Sequence, residues 1–279
     1  MSFFTKWLER AIGRQLRRFD GERGISEAVC AQARLALEST DRFRDRLRLL
    51  AFEHRVFSQG GEDGIVREIF RRIGCDRRTF IELGAGDGIE NNTAFLLQQG
   101  WTGIWCEGDF ANVARIRAAF AEELADGKLR LVDRMLRVGS AMELLKAHGD
   151  LRDPDLLSID LDRHTHHFWL ALGALNPRVA IIEYNAAWPA DLDFAVELDE
   201  TKAWRGGSHF GASLKALERI GSSLGYSLVG CDAAGTNAFF VRNDLLGGRF
   251  REPYTAENHY EPARDFLHAR RGHRRAFRD

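Results

Sequence analysis

The chain has 279 residues, 44% of them hydrophobic and 29% charged, which suits one large α/β domain with an appendage and excludes a disordered or fibrous chain. A net charge of −1 leaves no global basic field for nucleic acid. Cys30, Cys75, Cys106 and Cys231 form no CxxC or zinc pattern, no apolar run reaches the ~20 residues of a membrane span, and no unbroken apolar core marks a signal peptide, so a reduced, cytoplasmic setting is expected.

Residues 1–50 read as a helical N-terminal extension. Phe4, Trp7, Leu8, Ile12, Leu16 and Phe19 recur at helical spacing, with Lys6, Arg10, Arg14, Arg17 and Arg18 between them. Such a basic amphipathic helix either packs on its own domain or makes weak contact with a membrane surface. After the Gly21–Gly24 break, a second helix is expected from Ser26 to Leu50. In FSQGGEDGIVREIF, Phe57 to Phe70, a turn at Ser58-Gln59-Gly60-Gly61 leads into a helix. Glu62 and Asp63 either complement that helix's N-terminal dipole or belong to a loop that closes over a cofactor site.

Residues 51–250 form the main domain. Phe80, Ile81 and Leu83 make a short strand that runs into Gly84, Gly86 and Gly88. Three glycines in five residues mark a tight turn whose backbone presses against something. Asn91, Asn92 and Thr93 then favour a helix start. Strands follow at Trp101–Asp109, Lys128–Val132, Leu156–Ile159 and Val179–Ile182, and helices at Phe110–Leu124, Val138–His148 and Phe210–Leu224. Ser227–Gly230 and Ala238–Val241 close the set. This alternation predicts an α/β, doubly wound and mostly parallel sheet with helices on both faces. Ala186–Ser208 is a long irregular stretch, the kind that shapes a pocket. Residues 251–279 read as a basic C-terminal tail: Arg264–Asp279 holds six arginines and two acids, a composition that also suits acidic carriers or lipid headgroups.

A strand, a glycine turn and a helix N-terminus make a nucleotide-cofactor cradle. A dinucleotide fingerprint needs a third glycine where Ile89 stands, and Asp87 sits badly beside a pyrophosphate. The E-x-G-x-G-x-G spacing suits a cofactor without phosphates, S-adenosylmethionine. Its ammonium and sulfonium favour nearby carboxylates. Glu82 or Asp87 would serve the methionine moiety, and Glu107, at the second strand end, the ribose. Asp133, which ends the third strand, joins this set with Gly84 and Gly86.

SQGGEDGI, FIELGAGDGIENNT, GWTGIWCEGD, LLSIDLD, VAIIEYNAAWP and FGASLKALERIGSSLGYSLVGCD, in that order over Phe57 to Val241, resemble the FkbM-type class I methyltransferases, and within them the S-Q-x-G-E-D-G branch. The resemblance implies a seven-stranded, Rossmann-like class I fold, S-adenosylmethionine as cofactor, and O-methylation of a sugar, glycan or small hydroxylated metabolite. It maps cofactor positions onto Glu82, Gly84, Gly86 and Glu107, and the catalytic rim onto Asp160. One departure stands out. Members of that family continue strand 4 as D-x-D-G-N/x-D-Y, whereas Asp160-Leu161-Asp162 is followed here by Arg163-His164-Thr165-His166-His167. A non-catalytic binding module with a diverged acceptor site is therefore the alternative function.

Methyl transfer to a hydroxyl needs the oxygen aligned and its proton removed or shared. Two devices are open. In the first, His164 continues the strand parity of Asp160 and Asp162 and acts as base. In the second, Asp160, Asp162, Glu183 and Asn185 converge from adjacent strand ends on a Mg²⁺ ion. Asp162, His164 and His166 are a third arrangement, suited to a transition metal. His166 and His167 also read as helix-start hydrogen-bonders, and His209 as a loop histidine within reach of the rim.

Overall fold

The apolar runs of the sequence become seven strands of a single sheet. They are β1 (Thr79–Leu83), β2 (Thr102–Cys106), β3 (Leu129–Val132), β4 (Leu156–Ile159), β5 (Val179–Glu183), β6 (Tyr226–Cys231) and β7 (Asn237–Arg242). The computed structural model describes residues 29–149, 153–202, 206–264 and 267. The expected helix over Phe4–Phe19 and most of the arginine-rich tail lie outside them. Strand order is β3-β2-β1-β4-β5-β7-β6, parallel throughout except for β7, which runs antiparallel to both its neighbours. This is the doubly wound, Rossmann-like arrangement expected, in which strands are added from β1 toward β2 and β3 on one side and then from β4 onward on the other.

Helices cover both faces, which explains the near-continuous apolar strands. Phe80, Trp105, Leu156, Ile181 and Phe239 point to one face. They pack there with α2 (Glu62–Ile73), α3 (Ala94–Gln98) and α4 (Phe110–Ala119). Ile81, Leu83, Leu157, Ile159 and Ile182 point to the other, against α6 (Ala141–Lys146), α7 (Thr165–Leu172) and α8 (Leu214–Ser223). Fully burying each large apolar side chain contributes about 1.5–3 kcal/mol, so neither face tolerates a slip of register. Pairing sets Leu83 beside Cys106 and Ile159, and Ile159 beside Ile182. The next residues along, Gly84, Glu107, Asp160 and Glu183, therefore emerge level at one edge of the sheet.

Several helices depart from their expected bounds. The Ser26–Leu50 helix breaks. Residues 29–38 are helical, then Thr40 caps the short α1 (Asp41–Arg44) by accepting from the Phe43 amide, and Leu35 is left 67% exposed. Phe110–Leu124 divides at Phe120 into α4 and α5 (Ala121–Ala125), because Phe120 turns inward to meet Trp105 edge-on at 4.7 Å. The helix expected from Phe210 starts at Leu214, where Ser213 accepts from the Ala216 amide. Residues 251–264 are no free tail. They include α9 (Ala256–His259), and Glu261 is buried and paired with Arg42 and Arg264. No helix among the described residues is long and apolar enough to cross a membrane.

Candidate functional site

The turn after β1 has all three glycines at positive φ: 85° at Gly84, 59° at Gly86 and 81° at Gly88. Side chains disfavour that region by about 1–2 kcal/mol per residue. Two of the glycines are also pressed from outside. A Cβ on Gly84 would lie 1.9 Å from the Asp160 carbonyl oxygen, and one on Gly88 would lie 2.7 Å from the Phe120 ring. Gly86 differs, with nothing within 4 Å of the corresponding point. The turn is thus clamped at its ends and open in the middle.

Glu82 holds the turn to the helix behind it. The Asn92 amide donates to one carboxylate oxygen at 2.9 Å and the Thr93 hydroxyl to the other, while Trp105 Nε1 donates to that hydroxyl at 2.7 Å. Asn92 Nδ2 extends the network to Ser158 on β4. Asn91, rather than Thr93, serves the start of α3, accepting from the Thr93 and Ala94 amides. Burial pushes the Glu82 carboxyl up to about 7, against its hydrogen bonds from Thr93 and Asn92. Glu82 is a fastener of the cradle and does not face the space in front of it.

That space is a cavity of about 760 Å³ at the C-terminal ends of β1, β2 and β4. Gly84, Gly86, Glu107, Asp160, Asp162 and His164 line it, so the strand-end residues expected from sequence are brought together. Both Glu107 oxygens are anchored, one accepting from the Gly86 amide at 2.8 Å and the other from the Asp109 amide at 2.7 Å. Each oxygen keeps a second lone pair for a ligand hydroxyl. Two expected contacts lie elsewhere. Asp87 accepts from the Ile89 amide within the turn, and Asp133 pairs with Arg117 at 2.6 Å. Two unforeseen residues do line the cavity: Phe110, 86% exposed, and Met135, 75% exposed. A large apolar side chain just after E-G-D at a helix start was the available signal for Phe110.

The end of β4 departs from simple strand parity. Asp162 has φ 50°, a left-handed turn that swings the chain back, so Asp160, Asp162 and His164 are not alternate residues of one strand. His164 nevertheless lines the cavity, as the residue preceding α7. Burial, then the Arg163 charge, lowers its pKa, leaving a neutral ring at neutral pH. Asp160 hydrogen-bonds Glu183 across the strand ends. Burial, then the Asp162 charge, raises Asp160 to about 6, and burial followed by Asp160 raises Glu183 well above its usual range. Near neutral pH the pair therefore shares a proton, held on Glu183.

The Mg²⁺ expectation finds no support. Among the described residues no group of three or more His, Cys, Asp or Glu is arranged to hold a metal ion. Asn185 is committed elsewhere: its Nδ2 donates to the Ser208 and Phe210 carbonyls and its Oδ1 accepts from the Ala187 amide. The transition-metal arrangement finds no support either: among the described residues no such group is assembled, and His166 does not line the cavity with Asp162 and His164. His209 is an exposed loop residue with its ring edge-on to Phe194. In the SQGGEDG segment, Asp63 accepts from the Val56, Phe57 and Ser58 amides and the Ser58 hydroxyl, while Glu62 accepts from Gly60 and from Asn237. Both acids tie down the entry to α2, and neither lines the cavity.

No family model matches the chain, and no curated protein matches it. Solved structures of similar shape include the glycopeptide N-methyltransferase MtfA complexed with S-adenosyl-L-methionine, at 14% identity over 68% of this chain and 96% of that one, with a TM-score of 0.38. An S-adenosylmethionine-dependent methyltransferase from Clostridium acetobutylicum matches at 11% identity over 76% and 99%, with a TM-score of 0.41. The chain spans about half (53%) of the pyocyanin biosynthetic protein PhzM, at 16% identity over 63% of its own length and a TM-score of 0.34. On its own strand order, with β7 antiparallel between β5 and β6, the chain has the seven-stranded α/β fold of class I methyltransferases.

Proposed function

We propose that the protein is an S-adenosylmethionine-dependent methyltransferase of the FkbM type, acting on a hydroxyl of a sugar, glycan or small metabolite. The observation that carries this reading is the open front of Gly86, facing a cavity with anchored Glu107 on one side and Asp160 on the other. These residues fit the cofactor's parts. Glu107 offers lone pairs to ribose hydroxyls. Phe110 and Met135 offer apolar surface to a purine, which relieves their exposure. Asp160, beside Gly84, offers a carboxylate to the ammonium group. The turn carries Asp87 and no basic residue, a poor match to a pyrophosphate.

When bound, S-adenosylmethionine supplies an activated methyl group. The protein's share is alignment and proton management. Neutral His164, which lines the cavity, accepts the proton of the acceptor hydroxyl. Burial of Asp160 and its bond to Glu183 keep the carboxylate fixed and water-poor.

The test is transfer of labelled methyl groups from S-adenosylmethionine to a panel of sugars, glycans and hydroxylated metabolites, with His164→Ala as control. Transfer that His164→Ala lowers at least tenfold supports the assignment. Cofactor binding with no transfer to any hydroxyl acceptor favours the non-catalytic reading.

A further inference from the structure

His166 and His167 stand in the first turn of α7, and the chemistry above uses neither. Their Nε2 atoms lie 3.0 and 2.9 Å from one acceptor, the Val196 carbonyl oxygen. A carbonyl only accepts, so both rings carry a proton on Nε2. The rings sit 4.0 Å apart, tilted by 40°. Consecutive helical residues ordinarily point in different directions, so convergence on one atom means that the Val196 segment crosses the start of the helix.

The segment is tied on its other side as well. The Val196 amide donates to the Gly211 carbonyl, Ala195 bridges Ala212, and the Ser213 amide donates to the Phe194 carbonyl. Beyond Val196 the chain runs out over the cavity. Glu200 accepts from the Val138 amide at 2.7 Å, and Glu200, Thr201 and Lys202 line the cavity opposite Gly84 and Gly86. Val196 is thus the last firmly fixed point before a strap that reaches from the β5 side of the sheet to the segment after β3.

We infer that His166 and His167 are paired positioning residues that clamp Val196 and so hold residues 197–202 in place as the outer wall of the cavity. The inference rests on the cavity's reading as the cofactor and acceptor pocket. It gives the last two histidines of the departure after strand 4 a role other than metal binding or direct catalysis.

The test uses the full chain as wild type, His167→Ala and His167→Gln, the glutamine amide being able to donate to the same carbonyl. Amide hydrogen exchange is read at residues 197–202 and in β4 and β5, and S-adenosylmethionine dissociation by displacement with S-adenosylhomocysteine. Expected are at least tenfold faster exchange at 197–202 in His167→Ala with the strands unchanged, a matching rise in cofactor dissociation rate, and restoration of both by His167→Gln. Unchanged strap exchange, equal acceleration throughout the sheet, or an alanine effect that glutamine fails to reverse overturns the inference. Absence of cofactor binding by the wild type would instead remove the methyltransferase reading, and the exchange measurement would still judge the clamp.

Discussion

Replacing Glu82 by Gln should make stability respond to pH in a calculable way. The carboxyl is buried with a pKa near 7, against 4.5 for an ordinary glutamate. Below both values it is protonated in the folded and the unfolded chain and contributes no pH dependence. Between them the unfolded chain releases its proton while the folded chain keeps it, so stability falls as pH rises. Above pH 7 the full penalty is present. The gap of roughly 2.5 pKa units corresponds to about 3 kcal/mol. Glutamine carries no charge, and its geometry suits the site. Its oxygen can accept from the Asn92 amide, and its amide can donate to the Thr93 hydroxyl. Urea unfolding of both proteins from about pH 5 to about pH 8 checks this. The stability of the variant relative to wild type should grow by about 2.5 kcal/mol across that range, part of the penalty being present already at pH 5. Asp160 and Glu183 also titrate, but they are common to both proteins and drop out of the difference to first order. A difference that stays flat with pH would show that Glu82 titrates as an exposed carboxyl, and the argument about the buried fastener would fail.

Gly84→Ala should lower stability by at least about 1 kcal/mol through its positive φ alone, and its Cβ would force the turn away from the Asp160 carbonyl. Calorimetry should then show cofactor affinity reduced tenfold or more, and unchanged affinity would mean that the turn is not the cradle. Phe110→Ala should leave the unfolding midpoint in place, because the ring is 86% exposed, yet weaken cofactor binding by about 1 kcal/mol or more. A variant that loses stability but binds normally would put Phe110 in the wrong role.

What could be read in the sequence was governed by local physics. Three glycines in five residues require positive φ, and the turn is where that spacing placed it. Parallel strands between helices are apolar on both faces, and the sheet followed from the alternation of these runs. What could not be read depended on packing across the fold. Asp162 takes a left-handed conformation that breaks strand parity, and nothing adjacent in sequence announces it. Asn185 ends a strand among acids, as a metal ligand would, but its amide is spent on the loop at Ser208 and Phe210. Glu82 carried the right chemistry for a cofactor contact. Only the positions of Asn92 and Thr93 reveal that its lone pairs are turned inward. His166 and His167 looked like neighbours at a helix start, and their common acceptor lies 29 or 30 residues away.

The central claim is that the cavity in front of Gly86 binds S-adenosylmethionine. Titration calorimetry of the wild-type protein with S-adenosylmethionine and S-adenosylhomocysteine tests it most directly, with NAD⁺ as the pyrophosphate-bearing comparison. One site with affinity in the micromolar range, about −8 kcal/mol, is expected for both adenosyl ligands, and none detectable for NAD⁺. NAD⁺ binding more tightly than either adenosyl ligand, or no adenosyl binding at all, would contradict it.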